Sequence, residues 1–138
     1  MLIEKCQKVV LPRIYDPRGS LTFVEGMQHI PFDIRRVYYV YDVPRDAIRG
    51  GHAHKKLHQL IIAVSGSFDI HIDDGNSKKT VHLSKAYLGL YVCPMIWRDI
   101  NNFSPGAVCM VLASENYDEL DYYREYDQFT EDVKRNAQ

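Results

Sequence analysis

The stretch RGGHAHKKLHQ, residues 49–59, sets three histidines, two lysines and Arg49 within eleven positions. Imidazole titrates near neutral pH, so clustered histidines suit proton transfer, and their ring nitrogens also suit metal ligation. On extended backbone, residues two apart point the same way. His52 and His54 therefore share one face, with the small Ala53 between them on the other. A turn through residues 55–57 would return His58 to the same interior. Three readings follow: a metal site, a metal site that has lost its ion, or histidines doing acid–base work alone.

Metal-binding cupins carry two histidines and a glutamate on such a stretch and a further histidine on a later strand. Here His58 stands at the glutamate position, and Arg98 of GLYVCPMIWRD stands where the later histidine belongs. Arginine has no lone pair for a cation and stays protonated, so it repels a divalent ion. Three imidazoles alone can still hold zinc, but the expectation is a site with no metal. Two imidazoles on one buried face need partners or a role. His58 reads equally as a packed core residue, and His29, His71 and His82 read as solvated.

Arginines gather around this stretch in the sequence. Arg49 lies three residues before His52, Arg36 opens a tyrosine-rich run, and Arg18 sits in the turn DPRGS. Guanidinium groups grip phosphate oxygens bidentately, and tyrosine rings offer flat, half-polar surfaces for a base or sugar. Arg36 and Tyr38 share a face on an extended strand. Arg18, Arg36, Arg49 and Arg98 are thus candidate substrate-binding residues, with His52, His54 and Tyr38 as candidate catalytic ones. Such a mouth suits a phosphorylated, ring-bearing ligand.

The elements that must position these groups read as strands. Residues 35–43 are rich in β-branched and aromatic types, residues 60–64 form an apolar run, and SFDIHIDDGN alternates before an Asp-Gly-Asn turn. Further strands fit residues 21–25, 79–83, 89–93 and 108–114. From about residue 116 the period becomes helical, through Leu120, Tyr123, Tyr126, Thr130 and Val133. The expectation is one all-β domain over residues 1–138, closed by a C-terminal α-helix that braces it. A net charge of −1 gives no basic excess for nucleic acid. No run of eighteen apolar residues and no signal-like N-terminus suggests a membrane, so a cytoplasmic location is expected. Three cysteines without paired spacing read as buried thiols.

DPRGS, IPFDIRRVYYVYDV, RGGHAHKKLHQ, DDGN, GLYVCPMIW and VLASENYDELDYYREYD, in this order, resemble the sugar-nucleotide 3,4-ketoisomerases. The resemblance spans residues 16–129 and implies a cupin jelly roll (double-stranded β-helix) and a homodimer. It implies no metal or other cofactor, with dTDP-4-keto-6-deoxyglucose held inside each barrel. His52 and His54 fall on the family's catalytic pair, and Arg49 on the motif position before them, where the related epimerases hold diphosphate. The implied reaction moves the ketone from C4 to C3 through an enediol. Which histidine is base and which is acid stays open, the preferred division having His54 as the C3 base and His52 assisting. The product would feed aminotransferases that make 3-amino-3,6-dideoxy sugars for surface polysaccharide. Alternatives are a dTDP-sugar 3,5-epimerase, more distantly similar, and a non-catalytic sugar-nucleotide-binding cupin. Histidine at 98 and glutamate at 58 occur in many members, so the C4 configuration of the product stays open.

Overall fold

The structure, a computed structural model, describes residues 1–137. Two five-stranded antiparallel sheets face each other. The first has the order β1 (Lys8–Val10), β9 (Leu88–Val92), β6 (Gln59–Ser65), β11 (Val108–Ala113) and β4 (Arg36–Val40). The second runs β12 (Tyr122–Tyr123), β5 (Arg49–His54), β10 (Trp97–Asn101), β7 (Phe68–Asp73) and β8 (Lys78–Leu83). A hairpin, β2 (Arg13–Asp16) with β3 (Gly19–Thr22), stands outside both. The jelly-roll expectation holds. The strands expected from sequence fall within a few residues of β3, β4, β6, β7, β8, β9 and β11, whereas β1, β2, β10 and β12 go beyond that reading.

The period of two decides what the barrel encloses. Ile61 and Ala63 of β6, Cys109 and Val111 of β11, Ile70 and Ile72 of β7, and Ile100 of β10 all pack into one buried cluster. Their alternates Leu60, Ile62 and Leu112 face away, into a second layer with Phe32 and Leu11. By the same alternation Tyr38, Gln59, His52, His54 and Arg98 belong to the inner face. The hydrophobic cluster fills one part of the barrel and leaves a polar part at the β4–β5–β10 side. Cys6 and Cys93 meet inside the cluster at 3.9 Å between sulfurs, and all three thiols are buried and free, as their spacing suggested.

The helix begins later than its periodicity predicts. Residues from 116 do not join it: Glu119–Asp121 make a 3-10 turn, capped where Leu120 N–H donates to the Asp118 carboxylate at 3.0 Å. Tyr122 and Tyr123 then pair with His54 and Ala53. Only from Tyr126 to Asn136 is the chain α-helical (α1). A sheet edge offering ladder hydrogen bonds overrides the local helical pattern there. α1 packs outside the barrel, with Phe129 fully buried in a cluster with Ala53 and Tyr123. Ala53 thus serves both sides of β5: its small side chain admits the helix while its neighbours point inward.

Gly50 lets two strands meet. It adopts φ +95°, and a β-carbon there would lie 2.9 Å from the carbonyl oxygen of Arg98. The register between β5 and β10 shifts between Arg98 and Asp99, opposite this glycine. Glycine is needed so that the two strands can touch at the irregularity, which aims Arg98 and His52 at each other across the ladder.

Candidate active site

Strand β5 delivers both histidines to the barrel interior, in unequal positions. His52 lines a mouth cavity of about 430 Å³ together with Arg36, Tyr38, Arg49, Tyr122 and Arg124. It also lines an inner chamber of about 80 Å³ reached past Tyr38, Arg49 and Gly50, whose floor includes Gln59 and Arg98. His54 is 1% exposed and lines neither cavity. Its ring stands edge-on to His52, centroids 4.8 Å apart at 84°, and lies 4.3 Å from the Tyr122 ring. So the pair is adjacent, with His52 at the wall and His54 behind it.

Arg98 points into the barrel and is fully buried. Its Nε and Nη2 donate to the Ile96 carbonyl at 3.2 and 2.9 Å, and its Nη1 donates to Gln59 Oε1. Three of the five guanidinium N–H groups are used in these bonds, and among the described residues no carboxylate pairs with it. Because arginine only donates, Gln59 must turn its oxygen to Arg98. Its Nε2 then donates to the Tyr38 hydroxyl at 3.1 Å. The phenol, acting as acceptor there, keeps its own proton free for the chamber. Burial raises the Tyr38 pKa, and the Arg98 charge opposes that in part. Tyr38 is therefore a neutral donor at working pH.

This buried cation also acts on the histidines. Burial first, then the Arg98 charge, holds His52 down to about 4. The same two causes, then His52, Arg36 and Arg124, hold His54 down to about 2. Both rings are neutral at neutral pH. The 3.1 Å contact from His54 Nδ1 to Asp121 Oδ2 is then a hydrogen bond from a neutral ring to a carboxylate, rather than an ion pair.

A stability prediction follows from these depressed values. In the unfolded chain an imidazole binds its proton below about 6.5, whereas folded His54 stays neutral down to about 2. The unfolded state binds more protons in that window, so stability is present above 6.5 and is lost as the pH falls. The loss should be about 1.4 kcal/mol per pH unit from His54 alone, with His52 adding to it until about 4. Urea denaturation midpoints measured from pH 7.5 to 5 should fall accordingly, and a His54→Asn protein should show a shallower slope. Equal slopes for the two proteins would remove His54 as the source.

The other residues proposed from sequence divide clearly. Arg36 and Arg49 reach the mouth with His52, and Arg36 lies over the Tyr38 ring at 5.4 Å. Arg18 is not brought to them: at the β2–β3 turn its side chain is 90% exposed and paired with Asp16 at 2.7 Å. His58 does not return to the interior. Standing at an alternate of Gln59, it faces the outer layer, stacked on Phe32 and bonded through Nδ1 to the Tyr91 hydroxyl at 2.6 Å. The three-histidine set needed to hold zinc therefore does not form. No group of three histidine, cysteine or acidic side chains converges among the described residues. His29 and His71 are half-buried rather than solvated; His71 bonds Thr80 and Asn101, while exposed His82 bonds Asp69.

Sequence reasoning missed Gln59, Asp121, Tyr122 and Arg124. A signal for Gln59 was available, since Ile61 and Ala63 put it on the inner face by alternation. Arg124 lies over the Tyr122 ring at 4.3 Å and bonds Glu119 at 2.8 Å. A groove of about 640 Å³ on the outer side of the first sheet is larger than the mouth. It is lined by Phe23, Val37, Val64, Met110 and Leu112 among others, and none of the histidines reaches it. His52, Tyr38, Arg36 and Arg49 meet instead at the smaller, polar mouth.

Comparisons with known proteins bear on the family. The family model described as FdtA, WxcM-like, C-terminal matches residues 4–134. The chain is 47% identical to the TDP-4-oxo-6-deoxy-α-D-glucose 3,4-oxoisomerase of Aneurinibacillus thermoaerophilus, over 85% of this chain and 84% of that protein. Among solved structures it is similar to QdtA, a sugar 3,4-ketoisomerase of Thermoanaerobacterium thermosaccharolyticum in complex with TDP. The match has a TM-score of 0.93 and 43% identity, covering 95% of this chain and 96% of the other. It is also similar to the TDP-quinovose 3,4-ketoisomerase WlaRB of Campylobacter jejuni, with a TM-score of 0.89 and 43% identity over 93% and 98% of the two chains. With family model, close relatives and fold in agreement over nearly the whole length, the chain belongs to the TDP-sugar 3,4-ketoisomerases.

Proposed function

We propose that this protein converts dTDP-4-keto-6-deoxyglucose to the 3-keto sugar by histidine acid–base catalysis, without a metal. The observation that carries the reading is the buried Arg98 guanidinium with no carboxylate partner beside His52 and Tyr38. A buried charge without a counterion is costly in the free protein, and a transition state that develops negative charge at that spot offsets the cost. Deprotonation at C3 has this property. The C3–H electron pair forms the C3–C4 double bond, and the carbonyl oxygen at C4 becomes an enediolate oxygen. Arg98 and the free Tyr38 proton are the donors for that oxygen. The C3 hydroxyl then passes its proton to the C4 oxygen, which becomes the new hydroxyl. The C3–O bond becomes the ketone, and the C4 carbon takes a proton from the protonated base. Nothing is oxidised or reduced overall.

The base is assigned to His52, which lines both cavities, rather than to His54, to which the sequence reading gave the role. Arg49 and Arg36 at the mouth hold the diphosphate, and the Tyr38 and Tyr122 rings flank the path to the chamber. The test is NMR of the chelator-treated protein with dTDP-4-keto-6-deoxyglucose in deuterated water. Ketone migration to C3 is expected, and the same spectra report the C4 configuration. Deuterium at C3 and C5 with the ketone still at C4 would mean a 3,5-epimerase. Binding without turnover would mean a carrier, and activity that returns only with one added metal would overturn the metal-free reading.

The active form is a homodimer in this reading. Ile14 and Leu21 on the hairpin and Val37 and Tyr39 on β4 are all more than half exposed, around the apolar groove of the first sheet. Contiguous apolar surface of this kind marks a contact face, and a second copy presents the matching hairpin and groove. Sedimentation equilibrium should give a dimer, and Val37→Glu should shift it to monomer. A monomeric wild type at micromolar concentration would sink the assignment.

A further inference from the structure

We propose that Asp121 is a positioning residue that fixes the tautomer of His54 and so makes His54 Nε2 a permanent acceptor beside the base; this rests on the ketoisomerase reading above. Asp121 is clamped to the histidine strand at three consecutive residues. Its carbonyl accepts from Lys55 N–H at 2.9 Å, its Oδ1 from Lys56 N–H at 2.8 Å, and its Oδ2 lies 3.1 Å from His54 Nδ1. The next residue, Tyr122, pairs with His54 in the β12–β5 ladder. The carboxylate is thus held in one orientation by bonds that do not involve the ring. An ionised carboxylate only accepts, so Nδ1 must carry the proton. A neutral imidazole has one N–H, which leaves Nε2 as a lone pair.

That second nitrogen is the reason the tautomer matters. Nε2 of His54 is buried and bonds no protein group, in a ring edge-on to His52. A buried polar atom without a partner is costly unless something else meets it. His54 lines neither cavity, so its ring acts on the reaction through its neighbour His52. A lone pair beside His52 favours the imidazolium that forms when His52 takes the carbon-bound proton, whereas an N–H there would oppose it. Through Asp121, His54 thus supports His52 from behind the chamber wall.

Asparagine at 121 gives a sharp test, because the backbone decides which way its amide turns. Lys56 N–H needs an acceptor, so the amide oxygen takes that side and the NH₂ faces His54 Nδ1. The ring must then accept at Nδ1 and carry its proton on Nε2, with the shape of the site unchanged. Two-bond ¹H–¹⁵N correlation spectra of histidine-labelled protein distinguish the tautomers. In wild type His54 should be the Nδ1–H form, and in Asp121→Asn the Nε2–H form. Turnover should fall at least on the order of a hundredfold, as a wrong tautomer does in a histidine–aspartate pair, with TDP affinity and KM changed less than about twofold. Asp121→Glu, which still only accepts, should keep the Nδ1–H form and most of the turnover.

A wild-type His54 in the Nε2–H form overturns the proposal, and so does an Asn variant that flips the tautomer yet keeps its rate. If the Asn variant does not fold, a Glu variant with the wild-type tautomer but a loss of at least on the order of a hundredfold overturns it as well. Failure of the ketoisomerase reading is separate: wild type would then leave the substrate unchanged, whereas the tautomer spectra need no turnover.

Discussion

His52→Asn should bind TDP-sugar about as well as wild type and turn it over 10²–10⁴-fold more slowly, the range, to an order of magnitude, for losing a general base. The imidazole faces both the mouth and the inner chamber, so it is placed to reach a sugar carbon once the nucleotide is seated. Asparagine is close in size and keeps a polar group there, but it cannot take a proton at neutral pH. The effect should therefore fall on kcat, because the proton moves only in the transition state. In deuterated water the variant should also lose exchange of the C3 proton to the same degree as ketone migration. If instead KM rose with kcat intact, His52 would be a binding residue and the base would have to be sought at His54.

The depressed value of His52, about 4, looks at first unsuited to a base, which works best near the operating pH. In the free protein, however, the ring faces Arg98 and Arg124, opposed by a hydrogen bond with the Gly50 backbone and by Glu119. A bound diphosphate and a developing enediolate bring negative charge to those arginines. Their hold on the imidazole then weakens, and its basicity rises when substrate is present. The acidic limb of kcat should accordingly lie at higher pH than that of kcat/KM.

The barrel was legible in the sequence because its signal is local. Phe68, Ile70 and Ile72 alternate with Asp69, His71 and Asp73, and the inner and outer faces follow without any long-range information. The histidine pair and the inward Arg98 came from the same period of two, together with the family motifs. What was not legible depends on pairing between distant segments. Asp121 is 67 residues from His54, in a stretch whose periodicity reads as helix until β12 captures Tyr122 and Tyr123 for the edge of β5. Of the two readings open for His58, the packed one holds and the return to the interior does not: β6 starts at Gln59, so the strand's own alternation turns Gln59 inward and His58 outward. Gly50 likewise serves a strand irregularity that no single-strand pattern reveals.

Arg98→Met should produce the second large loss, about 10²–10³-fold in kcat, the order of magnitude for removing an oxyanion donor. Methionine keeps much of the volume of the buried side chain but none of its charge. Binding of TDP alone should change little, because Arg98 lies on the chamber floor while Arg36 and Arg49 stand at the mouth. The pH dependence supplies an independent reading. Arg98 is the second cause, after burial, of the low His52 value. Without it the His52 pKa should rise from about 4 towards 6.5 but not reach it, since burial remains. A base must be unprotonated to act, so the acidic limb of kcat/KM should move to higher pH and the active range should narrow. A residue that merely filled the barrel would leave that limb in place, whatever it did to the rate. Arg98→His tests the same charge more gently and, by changing the donor beside C4, should also be examined for the configuration of its product. A variant at 98 with a wild-type pH profile and a wild-type rate would take the guanidinium out of the chemistry and leave the buried cation without a function.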